Sequence, residues 1–307
     1  MNAIAAGRDG ALALSIAGLS IGYDRREGRT AAVTDVSFSV ARGEIFGLVG
    51  ETGCGKSTVL RAIIGLLHPN ATITAGSIAV AGADVTRASA RALEALRRRH
   101  VAMIFQDPLR ALNPVLTIGE QLSEGLPALG GMMRRDVRER VVAAIIRSPE
   151  LLLADEPTTA LDVTIQDQIL ALLRQLCRDL GMSVILVTHD IGVVAETCDR
   201  VGVMYAGRLV EIGSVMSVLG SPSHPYTAAL LASIPRIGAR RPRLEAIAGL
   251  PPDLNEPIRG CAFAPRCRLR VDACGEWPAR LEVHAPDQLS ACLRHAEPTS
   301  ARFEVVS

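Results

Sequence analysis

Aromatic side chains are scarce in this chain of 307 residues: 5 Phe, 3 Tyr and 1 Trp, 3% in all. A packed core must therefore be built from Leu, Val, Ile and Ala, and the hydrophobic fraction of 49% supplies them. Net charge is scarce too. With 33 Lys and Arg against 32 Asp and Glu, the formal balance is +1, which excludes the strongly basic surface that a nucleic-acid partner requires. Local runs such as Arg97–Arg98–Arg99 read as solvated helix faces. Long apolar runs are missing: nothing reaches the roughly 18 residues of a membrane-spanning helix. The N-terminal MNAIAAGRDGALALS lacks the basic-then-apolar order of a secretory leader, so a cytoplasmic location is expected. Seven cysteines in that compartment are not expected to form structural disulfides. Four of them cluster late in the chain, which points to a metal or cluster site.

What is present is a regular alternation of buried-strand and helix patterns. ALALSIAGLSIGY and AAVTDVSFSV place apolar residues at every second position, as half-buried strands do. EIFGLVG (44–50), VAMIF (101–105), ELLLAD (150–155) and MSVILVTHD (182–190) are short continuous apolar runs, the pattern of strands covered on both faces. GSIAVAGADVT (76–86) reads as a further strand and turn. STVLRAIIGLL (57–67), ARALEALRRRH (90–100) and VTIQDQILALLRQLCRDLG (163–181) read as helices, and VGVMYAGRLVEIG (201–213) as a hairpin turning at Ala206–Gly207. Strands alternating with helices predict an α/β fold with a mostly parallel sheet. Past Pro235 the periodicity fades into a Pro-, Arg- and Cys-rich stretch. Two units are expected: a nucleotide-binding domain over 11–235 and a small irregular extension over 236–307.

GETGCGKS, residues 50–57, fits G-x-x-x-x-G-K-[ST] and lies between a buried strand and a helix, where a phosphate-binding loop must lie. Gly50, Gly53 and Gly55 let the backbone wrap an anion. The amides of Glu51, Thr52 and Cys54 and the helix start then point at phosphate. Lys56 supplies a point charge for the β- and γ-phosphates, Ser57 a hydroxyl for Mg²⁺, and Thr58 completes the loop. Cys54 is expected to contribute only its backbone. Asp155 ends an apolar strand, the position from which Mg²⁺ is held in this class. Glu156 follows it and points to another side, where it can orient or deprotonate water.

GETGCGKST, FQDP (105–108), LLLADEPTTALD (151–162) and VILVTHD (184–190) occur in this order, and with them the chain resembles the ATP-binding subunits of ABC transporters. The resemblance implies a P-loop ABC ATPase core with an antiparallel β-subdomain, a helical subdomain that is shortened here, and a Cys-rich extension. It also implies that Gln106 is the Q-loop glutamine at Mg²⁺ or water. Asp162 becomes the aspartate that communicates across a dimer, His189 the histidine at the γ-phosphate, and Tyr23 the aromatic that stacks on adenine. FQDPLRALNP, DEPTTALDVT, MYAGRLVEIG, HPYTAALLASIP and GCAFAPRC narrow the resemblance to importers of dipeptides, oligopeptides or nickel. That branch implies a heterodimer with a second ATPase subunit, two membrane permeases and an extracytoplasmic substrate-binding protein. The chain would then lie peripherally at the cytoplasmic face of the membrane. ABC ATPases acting on DNA or translation carry coiled-coil insertions or tandem domains, and neither occurs in this sequence.

One part departs from the pattern. The family's LSGGQ-like signature caps the γ-phosphate held by the opposite subunit. The candidate here is ALGG (128–131), with Leu129 in place of the serine, and the interval from Gln106 to Asp155 is compressed. Either Gly130–Gly131 is a degenerate signature, or GMMRRDVRERVV (131–142) is an earlier helix joined directly to RSPELLLADEP, with the signature segment absent. The alternative function is accordingly a catalytically impaired or regulatory subunit that binds ATP and depends on a partner's signature.

Cys261, Cys267, Cys274 and Cys292 follow the spacing C-x5-C-x6-C-x17-C. Zinc sites usually show closer pairs, whereas a cluster tolerates wider gaps. The resemblance implies a 4Fe–4S cluster, while reduced thiols and zinc remain open.

Overall fold

The computed structural model describes residues 11–26, 28–106, 113–117, 120–121, 149–159, 162–234 and 247–293. The ALGG candidate, the helix expected over 131–142 and most of the expected linker lie outside the described residues.

Two sheets form the frame. The first is antiparallel, in the order β2-β1-β4-β5, from β1 (Leu12–Arg25), β2 (Gly28–Ala41), β4 (Ala71–Val80) and β5 (Ala83–Asp84). In β1 the buried residues change parity, from Leu14 and Ile16 to Leu19 and Ile21. A register shift between Ile16 and Leu19, with Gly18 at φ 59, inserts the extra residue and keeps one face apolar throughout. β4 begins earlier than expected, because 71–75 pair along β1 as far as Tyr23 while staying largely exposed. ATITA does alternate, with Ala71 and Ile73 packed partly buried on the core, but the alternation is short and built on mostly small side chains.

The second sheet has eight strands, in the order β11-β12-β10-β9-β3-β8-β7-β6. Its parallel centre comprises β3 (Ile45–Val49), β6 (Val101–Ile104), β7 (Leu151–Asp155), β8 (Ser183–Val187) and β9 (Arg200–Tyr205). Every residue of β3, β7 and β8 is buried, as continuous apolar runs require. β10 (Arg208–Ser214) returns antiparallel to β9 through the expected turn at Ala206–Gly207. Phe38 of the first sheet stacks on Phe46 of β3 at 4.9 Å and 8°, joining the two layers.

The helices follow their caps. α1 (Lys56–Ile63) stops short of the expected end because Gly65 turns left-handed at φ 67. α2 (Ala90–Arg99) is capped by Ser89, and α3 (Val163–Leu180) runs from an Asp162 cap to left-handed Gly181. α4 (Ile191–Thr197), α5 (Val215–Gly220) and α6 (Pro225–Ala232) are short.

The tail differs from the irregular extension expected. β11 (Glu282–Ala285) and β12 (Gln288–Ser290) form a hairpin that adds to the main sheet through the pairs Glu211↔Ser290, Ile212↔Leu289 and Gly213↔Gln288. Strands this short carry no legible period. Gly213 permits the approach: a Cβ there would meet the Asp287 carbonyl oxygen at 2.5 Å.

Candidate active site

The phosphate loop leaves β3 and opens α1, between the two sheets. Gly50 and Gly55 have φ of 149 and 105. A Cβ on Gly50 would lie 2.1 Å from the Met204 carbonyl oxygen, and one on Gly55 would lie 2.7 Å from that of Ala32. Both glycines are therefore required by backbone crowding as well as by conformation. Lys56 is buried, its Nζ donating to the carbonyls of Gly50 at 2.7 Å and Glu51 at 3.0 Å, with Cys54 Sγ at 3.6 Å. Burial raises the Cys54 thiol above its ordinary range despite the neighbouring Lys56, so it stays a neutral packing group.

Ser57 Oγ donates to Asp155 Oδ1 at 3.1 Å, linking the first turn of α1 to the end of β7. Burial pushes the Asp155 carboxyl up, and the Ser57 hydrogen bond opposes the shift. A partly desolvated carboxylate beside a hydroxyl at the mouth of a phosphate loop suits a hard divalent cation, which restores the charge balance that burial disturbs. These two residues fit Mg²⁺.

Glu156 stands on the other side of the same strand end, with φ 50. Its Oε2 accepts from Gln106 Nε2 at 3.3 Å and Thr159 Oγ1 at 3.0 Å, and its Oε1 lies 3.4 Å from His189 Nδ1. The structure therefore brings Gln106, Glu156 and His189 together. It places Gln106 on the Glu156 side of the site, whereas the contact recorded at Asp155 is Ser57. Asp162 accepts from Ile165 N at 3.0 Å as the cap of α3. Tyr23 reaches the loop, its hydroxyl 3.3 Å from Thr58 Oγ1.

Three residues at the loop escape sequence reasoning. Tyr226 OH accepts from Glu51 N at 2.9 Å, and Arg266 Nη1 donates to Glu51 Oε2 at 2.9 Å and to Tyr205 OH at 3.1 Å. Arg266 is 215 positions away from Glu51 in sequence. Its only local sign was its place beside Cys267 in GCAFAPRC.

Cys261, Cys267, Cys274 and Cys292 line a single apolar cavity together with Phe263, Trp277 and His224. Burial raises the Cys261 thiol, and Cys274 and Cys267 push it the same way. Among the described residues no group of three or more His, Cys, Asp or Glu is arranged to hold a single metal ion.

The profile of the family described as "ABC transporter" matches residues 33–141, and that described as "Oligopeptide/dipeptide transporter, C-terminal region" matches 210–274. The first match ends before β7. The dipeptide transport ATP-binding protein DppD of Bacillus subtilis is 42% identical over 295 residues, covering 85% of this chain and 88% of that one. The oligopeptide transport ATP-binding protein OppD of Salmonella typhimurium is 38% identical over 317 residues, covering 92% of this chain and 94% of that one. An alignment of 317 positions that uses 92% of a 307-residue chain includes positions where this chain has no residue. A dimeric ATP-binding cassette solved in a post-hydrolysis state with ADP and Pi matches with a TM-score of 0.58 at 24% identity, over 66% of this chain and 98% of that one. At that identity the likeness speaks for the fold.

Proposed function

The chain belongs to the ATP-binding subunits of ABC transporters, in the dipeptide and oligopeptide branch, and from that premise we propose how its residues work. It is an ATPase subunit that powers peptide import, with ATP and Mg²⁺ as its cofactors. The loop amides and the start of α1 receive the phosphates, and Lys56 exchanges its loop carbonyls for phosphate oxygens. Ser57 and Asp155 hold the Mg²⁺, which when bound neutralises charge on the phosphates. Tyr23 offers its ring to adenine. Glu156 takes a proton from the attacking water, and Gln106 and His189 position that water and the γ-phosphate oxygens.

The observation that carries this reading is the Glu156 carboxylate held among Gln106, Thr159 and His189, one residue beyond the Ser57–Asp155 pair. Glu156→Gln should keep nucleotide binding and lower turnover by about a hundredfold or more, the usual worth of a general base. Parallel binding and phosphate-release assays decide it, and near-normal turnover sinks the role.

The proposed setting is a heterodimer with a second ATPase subunit, two permeases and an extracytoplasmic binding protein, at the cytoplasmic membrane face; what supports it is membership of the peptide-transport ATP-binding family. Among the described residues no helix is long and apolar enough to cross a membrane. The surplus positions in the relatives' alignment support a second reading. We place them between 121 and 149, so this chain lacks the signature segment and relies on a partner's signature to cap its own ATP.

The four tail cysteines are proposed to hold a 4Fe–4S cluster. The support for this reading is that the four thiols line one cavity and that a cluster tolerates their wide sequence spacing. Bound iron supplies the positive charge that holds buried thiols as thiolates. Anaerobically purified protein should be coloured and contain iron, and Cys267→Ser should lose both while still binding ATP. Colourless protein that stays so when iron and sulfide are supplied rules the cluster out.

A further inference from the structure

The second residue of the phosphate loop is an acid, Glu51, placed where a polyanion must bind. An uncompensated carboxylate there repels the nucleotide. The backbone of the same residue holds the loop's own cation, with Lys56 Nζ 3.0 Å from the Glu51 carbonyl. The compensation comes from the tail. The Arg266 side chain is 6% exposed and pairs with Glu51 Oε2 at 2.9 Å. Its other nitrogens are held as well: Nε donates to the Ala248 carbonyl at 3.0 Å, Nη2 to that of Ile247 at 3.1 Å, and Nη1 also to Tyr205 OH at 3.1 Å. A guanidinium held at every nitrogen is a fixed charge. Glu51 is fixed from the same side at its backbone, through Tyr226 OH. Tyr226 packs on Tyr205 at 4.5 Å and on Phe263 of the tail at 5.4 Å.

We propose that Arg266 is a positioning residue for ATP binding: from the tail it neutralises and pins the Glu51 carboxylate, leaving Lys56 and the loop amides to the phosphates. The inference rests on the nucleotide-site reading but not on the cysteine cluster. It predicts opposite signs for the two halves of the ion pair. In the full chain, Arg266→Gln should weaken Mg-ATP binding about tenfold, because a partly exposed carboxylate is left unpaired beside the anion. Glu51→Gln should tighten binding a few-fold at low salt, because a fixed cation is left facing the phosphates. The double variant Glu51→Gln/Arg266→Gln should return close to the parent.

Titration of a fluorescent ATP analogue with Mg²⁺, together with a melting curve for each variant, separates the outcomes. A role in tail packing alone would leave the double variant as weak as Arg266→Gln, and that result overturns the proposal. So does unweakened binding by Arg266→Gln. If Arg266→Gln does not fold, the Glu51→Gln arm decides, and binding no tighter than the parent's overturns the inference. Lys56→Ala in the same titration tests the site itself. Loss there with no response at Arg266 defeats only the coupling, whereas no loss there defeats the nucleotide-site reading.

Discussion

His224 shows how a single side chain sets a pH limit on this fold. It is 1% exposed, its Nδ1 accepts from Tyr226 N at 3.1 Å to cap α6, and its Nε2 has no hydrogen-bond partner. Burial lowers its pKa from 6.5 to about 3. In the unfolded chain the imidazole protonates below about 6.5, while in the folded chain it stays neutral until about 3. Its contribution to stability is therefore present at neutral pH and is lost as pH falls through that window, at about 1.4 kcal/mol per pH unit. Denaturant midpoints at pH 7 and pH 5 should fall more steeply for the parent than for His224→Asn, which can still cap. Equal slopes would remove His224 from the account. At this scale the sequence was legible where residue type and chemistry coincide. The loop with Gly50, Lys56 and Ser57 runs from the end of β3 into α1, and Asp155 and Glu156 lie at the end of β7, placements set by short local segments. Arg266 and Tyr226 were hidden because their meaning depends on a fold that returns the tail to β3.

The tail hairpin can be tested as an element. Glu211 of β10 is fully buried and its carboxyl is raised by that burial. It accepts from Ser223 N at 2.7 Å, His224 N at 3.0 Å and, from β12, Gln288 Nε2 at 2.6 Å. Gln288 thus ties β12 to the start of α6 through one acid. Gln288→Leu keeps the bulk and removes the donor, which should cost about 1–3 kcal/mol. Equilibrium unfolding in urea checks it, and an unchanged midpoint would show that the hairpin docks by backbone pairing alone. Elements with strong periods were readable from sequence: β1 to β3, α2, α3, and the hairpin of β9 and β10. The opening of β4 and both tail strands were not, since the first offers only the short alternation ATITA and the others are three or four residues long. The end of α1 was overextended because Gly65 punctuates an otherwise apolar helical run.

For the whole molecule, the prediction concerns stoichiometry. On the proposal that this chain lacks a signature, a homodimer has two uncapped sites, and the purified chain should hydrolyse ATP very slowly. Paired with a partner that carries an intact signature, one site should turn over, and Lys56→Ala in this chain should then abolish the activity of the pair. Steady-state phosphate release with and without the partner makes the comparison. Robust hydrolysis by the chain alone would show that 128–131 still caps.

β6 and β7 are immediate parallel neighbours, paired from Val101↔Leu151 to Ile104↔Ala154. Their order and register are set by the pairs between the two strands themselves. The length of chain that joins them in sequence enters neither strand order nor register, so the ends of β3 and β7, which carry the phosphate loop and Asp155, keep their relative places whatever that length is.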